Sequence, residues 1–125
     1  MANILIIDDV KFTTANLKNI LESLNHQTKY TASSNFDAIE IYKTYKDEID
    51  LIFLSLSMPQ SIDFDSSSDA IKAILDFDPD AKIIMISTQE GHQTVLKSIQ
   101  AGAKGYIAKP LNKTQIEESL KNSLN

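Results

Sequence analysis

Apolar residues along this chain are arranged in two alternating ways. Short continuous runs occur at "NILII" (3–7), "DLIFL" (50–54), "KIIMIS" (82–87) and "GYIA" (105–108), with a more polar counterpart at "TKYTA" (28–32). Unbroken apolar runs of this length are expected of strands covered on both faces, and the polar one fits a sheet edge. Between them, apolar residues recur three and four apart, the spacing of one helical face. Leu17, Ile20, Leu21 and Leu24 form the first such set, and Ala38, Ile39, Tyr42 and Tyr45 the second. Ile71, Ile74 and Leu75 form the third, Val95, Leu96 and Ile99 the fourth, and Ile116, Leu120 and Leu124 the fifth.

Turn chemistry supports the same division. "SSN" (33–35) supplies capping side chains to the second helix, and Asp69 is placed to cap the third. The DFDPD stretch (76–80) ends the third helix, and Gly102 ends the fourth. Five strand–helix units with short connections predict a doubly wound α/β sandwich with a parallel sheet.

Composition narrows the function classes. A chain of 125 residues fits one domain, taken here as 1–125. Net charge is −5, and all 12 basic side chains are lysine. Without arginine or a basic surplus, nucleic-acid binding is not expected of this domain. There is no cysteine, which excludes disulfides and thiolate metal sites. The opening MANILIIDDV has too short an apolar run for a signal peptide or a membrane span, so a cytoplasmic protein with no membrane partner is expected.

Four of the strands end in polar residues. The first ends in Asp8 and Asp9, the third in Ser55, the fourth in Ser87, and the fifth in Lys109 followed by Pro110. In open α/β sheets, ligands bind at the carboxyl ends of strands. Two adjacent carboxylates at such an end make an oxygen site suited to Mg2+. Lys109 offers a counter-charge or a phosphate contact, and Ser87 a hydroxyl.

The segments "ILIIDD", "DLIFLSLSMP", "IIMIS" and "AGAKGYIAKP" together resemble the receiver domain of bacterial two-component response regulators, over the whole chain. The resemblance implies a flavodoxin-like five-stranded sheet in the order 2-1-3-4-5 with five helices, and a signalling role, not an enzymatic one. It implies that Asp8 and Asp9, with the backbone of Ser57, correspond to the Mg2+ site. Ser87 and Tyr106 would be the switch residues, and Lys109 the phosphoryl-contacting lysine. It implies a cis peptide before Pro110. Protein partners, a histidine kinase or an output domain among them, would meet the face made by the fourth helix, fifth strand and fifth helix.

At position 55 the resemblance fails, because Ser stands where the family carries its phosphate-accepting aspartate. A serine hydroxyl is a weak nucleophile until a base takes its proton, and neither His26 nor His92 falls at a strand end; both read as exposed polar residues. One carboxylate fewer also weakens the site for Mg2+. The following "MPQSIDFDSSSD" lacks glycine and is longer than usual for the family, Thr88 follows Ser87 where a small residue is common, and Leu111 replaces an aromatic.

The leading expectation is therefore a phosphorylation-independent pseudo-receiver acting through protein–protein interaction. The alternatives are a Mg2+-dependent switch with an unusual acceptor, Asp63 or Asp65 or a phosphorylated Ser55, and an engineered acceptor-null form of a normal receiver. The rebuilt loop argues against the last. A flavodoxin-like cofactor protein is disfavoured because "DDVKFTT" has no phosphate-cradling glycines. A serine hydrolase is disfavoured because "LSLSM" lacks the G-x-S-x-G elbow.

Overall fold

Each strand presents alternate residues to opposite sides, and in the central strands both sides are apolar. The computed structural model describes residues 2–55, 67–87 and 92–124, side chains excepted at 67–69, 92–95 and 98. In chain order the elements are β1 (Asn3–Ile7), α1 (Lys11–Ser23), β2 (Gln27–Ala32), α2 (Asn35–Tyr45) and β3 (Leu51–Ser55). They continue with α3 (Ser67–Phe77), β4 (Ile83–Ser87), α4 (His92–Ala101), β5 (Gly105–Ala108) and α5 (Lys113–Leu124). A short 3-10 turn, Lys46–Glu48, follows α2.

The five strands form one sheet in the order β2-β1-β3-β4-β5, with every neighbouring pair parallel. Ile4, Ile6, Leu51, Phe53, Ile84 and Ile86 point to one side, where Leu17 and Leu21 of α1 and Ile116 and Leu120 of α5 cover them. Leu5, Ile7, Ile52, Leu54, Ile83 and Met85 point to the other, under Ala38, Ile39 and Tyr42 of α2 and Ile71 and Ile74 of α3. The alternation along β1, β3 and β4 thus splits the core into two layers. A one-residue slip would exchange those layers, so each strand's register is tightly specified.

Local chemistry sets the element ends. The Ser34 hydroxyl accepts from the Asp37 amide and caps α2, and Asn112 Oδ1 accepts from the Gln115 amide at the start of α5. After α4 the chain turns at Gly102 with φ 117°, and its amide donates to the Ile99 carbonyl. After α1 the left-handed position is held by Asn25, φ 67°, which the apolar pattern did not mark.

Three details differ from the sequence reading, at β3, at Asp69 and at His26. β3 begins at Leu51, not Asp50, and runs through Ser55; Asp50 stays outside, its carboxylate accepting from the Asn3 amide. α3 starts at Ser67, so Asp69 lies in its first turn and not at the cap. Leu96 and Ile99 lie on α4 as their spacing predicts, and are 43% and 46% exposed. His26 is half-buried, its Nδ1 accepting from the Ala2 amide, where a freely exposed residue was expected.

Candidate functional site

The site grows from the strand ends. Ile7 of β1 pairs with Leu54 of β3, so Asp8 and Ser55 are the next residues on neighbouring strands. Ser55 pairs with Ile86 and Ser87 with Ala108, which sets Ser87 and Lys109 along the same carboxyl-end rim. Asp8 and Ser55 stand where the chain order reverses, β1 being followed outward by β2 on one side and by β3 on the other.

Asp8 is drawn into the protein. Its amide donates to the Ala32 carbonyl at 3.0 Å, which extends the β1–β2 ladder by one residue. Its Oδ1 accepts from the Val10 amide at 2.9 Å, a local turn that leads into α1. Its Oδ2 accepts from Lys109 Nζ at 3.2 Å. The two side chains are 0% and 12% exposed. Lys109 is delivered by its own backbone: its amide donates to the Ser87 carbonyl at 2.7 Å, and the Lys109–Pro110 peptide is cis. Ser55 and Ser87 are both buried, and both make interactions with their surroundings.

Asp9 is exposed and borders an open cleft shared with Lys11, Thr14, Lys18 and Ser33. Tyr106 is partly buried against the layer under α2 and α3, and its hydroxyl is buried with no hydrogen-bond partner among the described residues. The structure thus brings Asp8, Ser55, Ser87 and Lys109 to one rim, with Asp9 at its edge and Tyr106 on β5 beside it. Ser57, the candidate backbone ligand, lies outside the described residues, as do Asp63, Asp65, Met58 and Thr88; the side chain of His92 does too.

Two features here escaped the sequence reading. One is the Val10 amide as a partner of Asp8; an aspartate three residues before a helix was the available signal. The other is Phe12, 79% exposed at the start of α1, in a groove with Thr13, Asn16, Pro110 and Leu111 beside Lys109. Its signal was an aromatic off the apolar face of its helix.

Mg2+ prefers octahedral oxygen ligation through carboxylates together with retained waters. Both oxygens of Asp8 are already taken by donors, and its side chain offers no open face. Among the described residues, no three histidine or acidic side chains lie close enough to hold a metal ion. As arranged, this donor set does not fit a hydrated Mg2+.

Comparison with known proteins decides the family. Residues 4–121 match the response regulator receiver domain. The chain belongs to that family. As a receiver, it is 34% identical over 117 residues to the chemotaxis protein CheY of Thermotoga maritima, covering 94% of this chain and 92% of that one. It is 33% identical to CheY of Bacillus subtilis over 122 residues, 98% of this chain and 97% of the other. Among solved structures, the receiver resembles the CheX-CheY-BeF3-Mg+2 complex from Borrelia burgdorferi with a TM-score of 0.88 and 31% identity, over 95% of this chain and 86% of that one. The expected strand order 2-1-3-4-5 is the observed one. Receivers bind Mg2+ at the site where they are phosphorylated, and the Borrelia burgdorferi complex carries Mg+2 and BeF3.

Proposed function

We propose that this receiver, taken as one domain over 1–125, is a phosphorylation-independent pseudo-receiver that signals by binding protein partners. The observation that carries this reading is Ser55, fully buried at the end of β3 beside Asp8. It stands at the family's acceptor position and brings a hydroxyl where a carboxylate would attack a phosphohistidine directly. A hydroxyl needs a base. The nearest described carboxylate along the sheet, Asp8, is already committed to Lys109 and Val10.

Asp8, Asp9 and the Ser57 backbone are the remnant of a metal site whose hold on Mg2+ is weakened. Ser87, Tyr106 and Lys109 keep the places of the family's switch residues. Support for output through contact comes from α4, where Leu96 and Ile99, one turn apart, are exposed. Two large apolar side chains at that spacing form an anchor pair of the kind interfaces use. We assign the partner-binding face to α4, β5 and α5, with a histidine kinase or an output domain as the partner class. The domain acts as a signalling module and not as an enzyme, with no role in binding nucleic acid. No helix among the described residues is long and apolar enough to cross a membrane, and we place the domain in the cytoplasm.

The test is incubation with acetyl phosphate and Mg2+ followed by intact-mass spectrometry. The expected result is no added phosphoryl mass. A Mg2+-dependent adduct would replace this reading with a working switch, and mapping it to Ser55, Asp63 or Asp65 would identify the acceptor.

A further inference from the structure

The poor fit of the site to Mg2+ has a specific cause. Asp8 is a fully buried carboxylate with one oxygen on the Val10 amide and the other on the Lys109 ammonium. Lys109 is anchored through its own amide to Ser87, and its side chain is only 12% exposed. Asp9, the second acid, is exposed and makes no ion pair within the described residues.

We propose that Lys109 is the resident cation of this site: its ammonium fills the place on Asp8 that a divalent ion would take, and Mg2+ gains that carboxylate only by expelling the amine. The inference rests on Ser55 contributing no charge, as in the reading above. Asp8, Asp9 and Lys109 together leave one net negative charge, so an incoming Mg2+ would not be neutralised. With a further carboxylate at 55 the amine would have a second anion to move to, and Asp8 could be released at little cost. With Ser55 the amine has no other described carboxylate within ion-pair distance, and expelling it strands a buried charge. The ion pair and the metal are therefore competitors for one carboxylate. In this chain the balance lies with the lysine, and the site keeps its shape without a metal.

The experiment is a calorimetric titration of Mg2+ into the whole chain, comparing the natural sequence with Lys109→Met, which keeps much of the apolar stem and removes the charge. Lys109→Met is expected to bind Mg2+ at least about tenfold more tightly, because a competing charge on the same carboxylate is gone. Equal or weaker binding by the variant overturns the proposal. Should Lys109→Met not fold, Lys109→Gln, which retains a donor to Asp8 without the charge, carries the same comparison: tighter binding supports the proposal, and equal or weaker binding overturns it. In the natural chain, NMR of the Lys109 side chain adds a direct view at Mg2+ concentrations that perturb Asp8. The proposal requires the Lys109 signal to shift in step with Asp8, and a stationary Lys109 signal contradicts it. Neither readout involves phosphoryl transfer, so an adduct in the mass experiment would defeat the pseudo-receiver reading without deciding this one.

Discussion

Lys109 Nζ lies 3.2 Å from Asp8 Oδ2 across a sequence separation of 101 residues, and the Asp8 side chain has no exposure to solvent. This bond joins the end of β1 to the end of β5 over the two intervening strands. Removing one member of a buried pair strands the other's charge, which costs about 3 kcal/mol. Lys109→Met should lower stability by that amount in urea denaturation. Adding Asp8→Asn should return about half of it, since the stranded charge is then gone. Losses that simply add in the double variant would show that the pair is not coupled.

Gly102 closes α4 with φ 117°, and a Cβ built there would overlap Leu75 Cδ1 of α3. Gly102→Ala therefore meets both a disfavoured backbone conformation and a steric clash against the packed α3 side. We expect a loss of at least about 2 kcal/mol, seen as a shifted denaturation midpoint. Leu75→Ala in the same background should recover part of the loss by making room.

Tyr42 donates its hydroxyl to Asp78 Oδ2 at 2.6 Å and fastens α2 to the turn after α3. That bond holds the Asp78 carboxyl below its ordinary value of 3.8, while burial, then the same bond, raises the Tyr42 hydroxyl above 10.0. The signs are opposite. Asp78 contributes stability that is present above about pH 3.8 and lost as pH falls through its lowered native value. Tyr42 contributes stability that is present below about pH 10 and lost as pH rises through its raised one. Tyr42→Phe should thus cost about 1.5 kcal/mol between those limits, and less in acid or strong base. Stability curves across pH for the two chains check this.

His26 follows the left-handed Asn25, and its Nδ1 accepts from the Ala2 amide at 2.9 Å, which ties the end of α1 to the start of the sheet. Burial, then the positive chain terminus, lowers its pKa below 6.5. The folded protein favours the neutral ring. The resulting stability is present above about pH 6.5 and lost as pH falls through the lowered native value. Melting temperatures taken between pH 7.5 and 5.0 should fall more steeply for the natural chain than for His26→Ala.

The sheet was legible because its apolar runs are continuous on both faces, and β1, β4 and β5 fall within a residue of where those runs lie. The rim was legible for a related reason: ligands in such sheets gather at strand carboxyl ends, which singled out Asp8, Ser55, Ser87 and Lys109. What the pattern could not give was tertiary choice. Nothing local says that Lys109 would take Asp8 over Asp9, because that depends on which acid the fold buries. Periodicity likewise marked Leu96 and Ile99 as helical without saying whether they are covered, since it registers amphipathicity and not whether a neighbour covers the stripe. Asn25 was passed over and His26 was read as exposed, because their roles come from a single turn geometry and one backbone donor at Ala2.

The claim that this receiver does not use phosphorylation is tested most directly by recording its amide NMR spectrum with Mg2+, before and after adding beryllofluoride, a chemical analogue of a phosphoryl group. On the proposed reading, position 55 offers beryllofluoride no carboxylate to join. The predicted result is an unchanged spectrum at Ser55, Ser87, Tyr106 and α4. Shifts spreading from the rim to Tyr106 and α4 would contradict the account and establish a working switch.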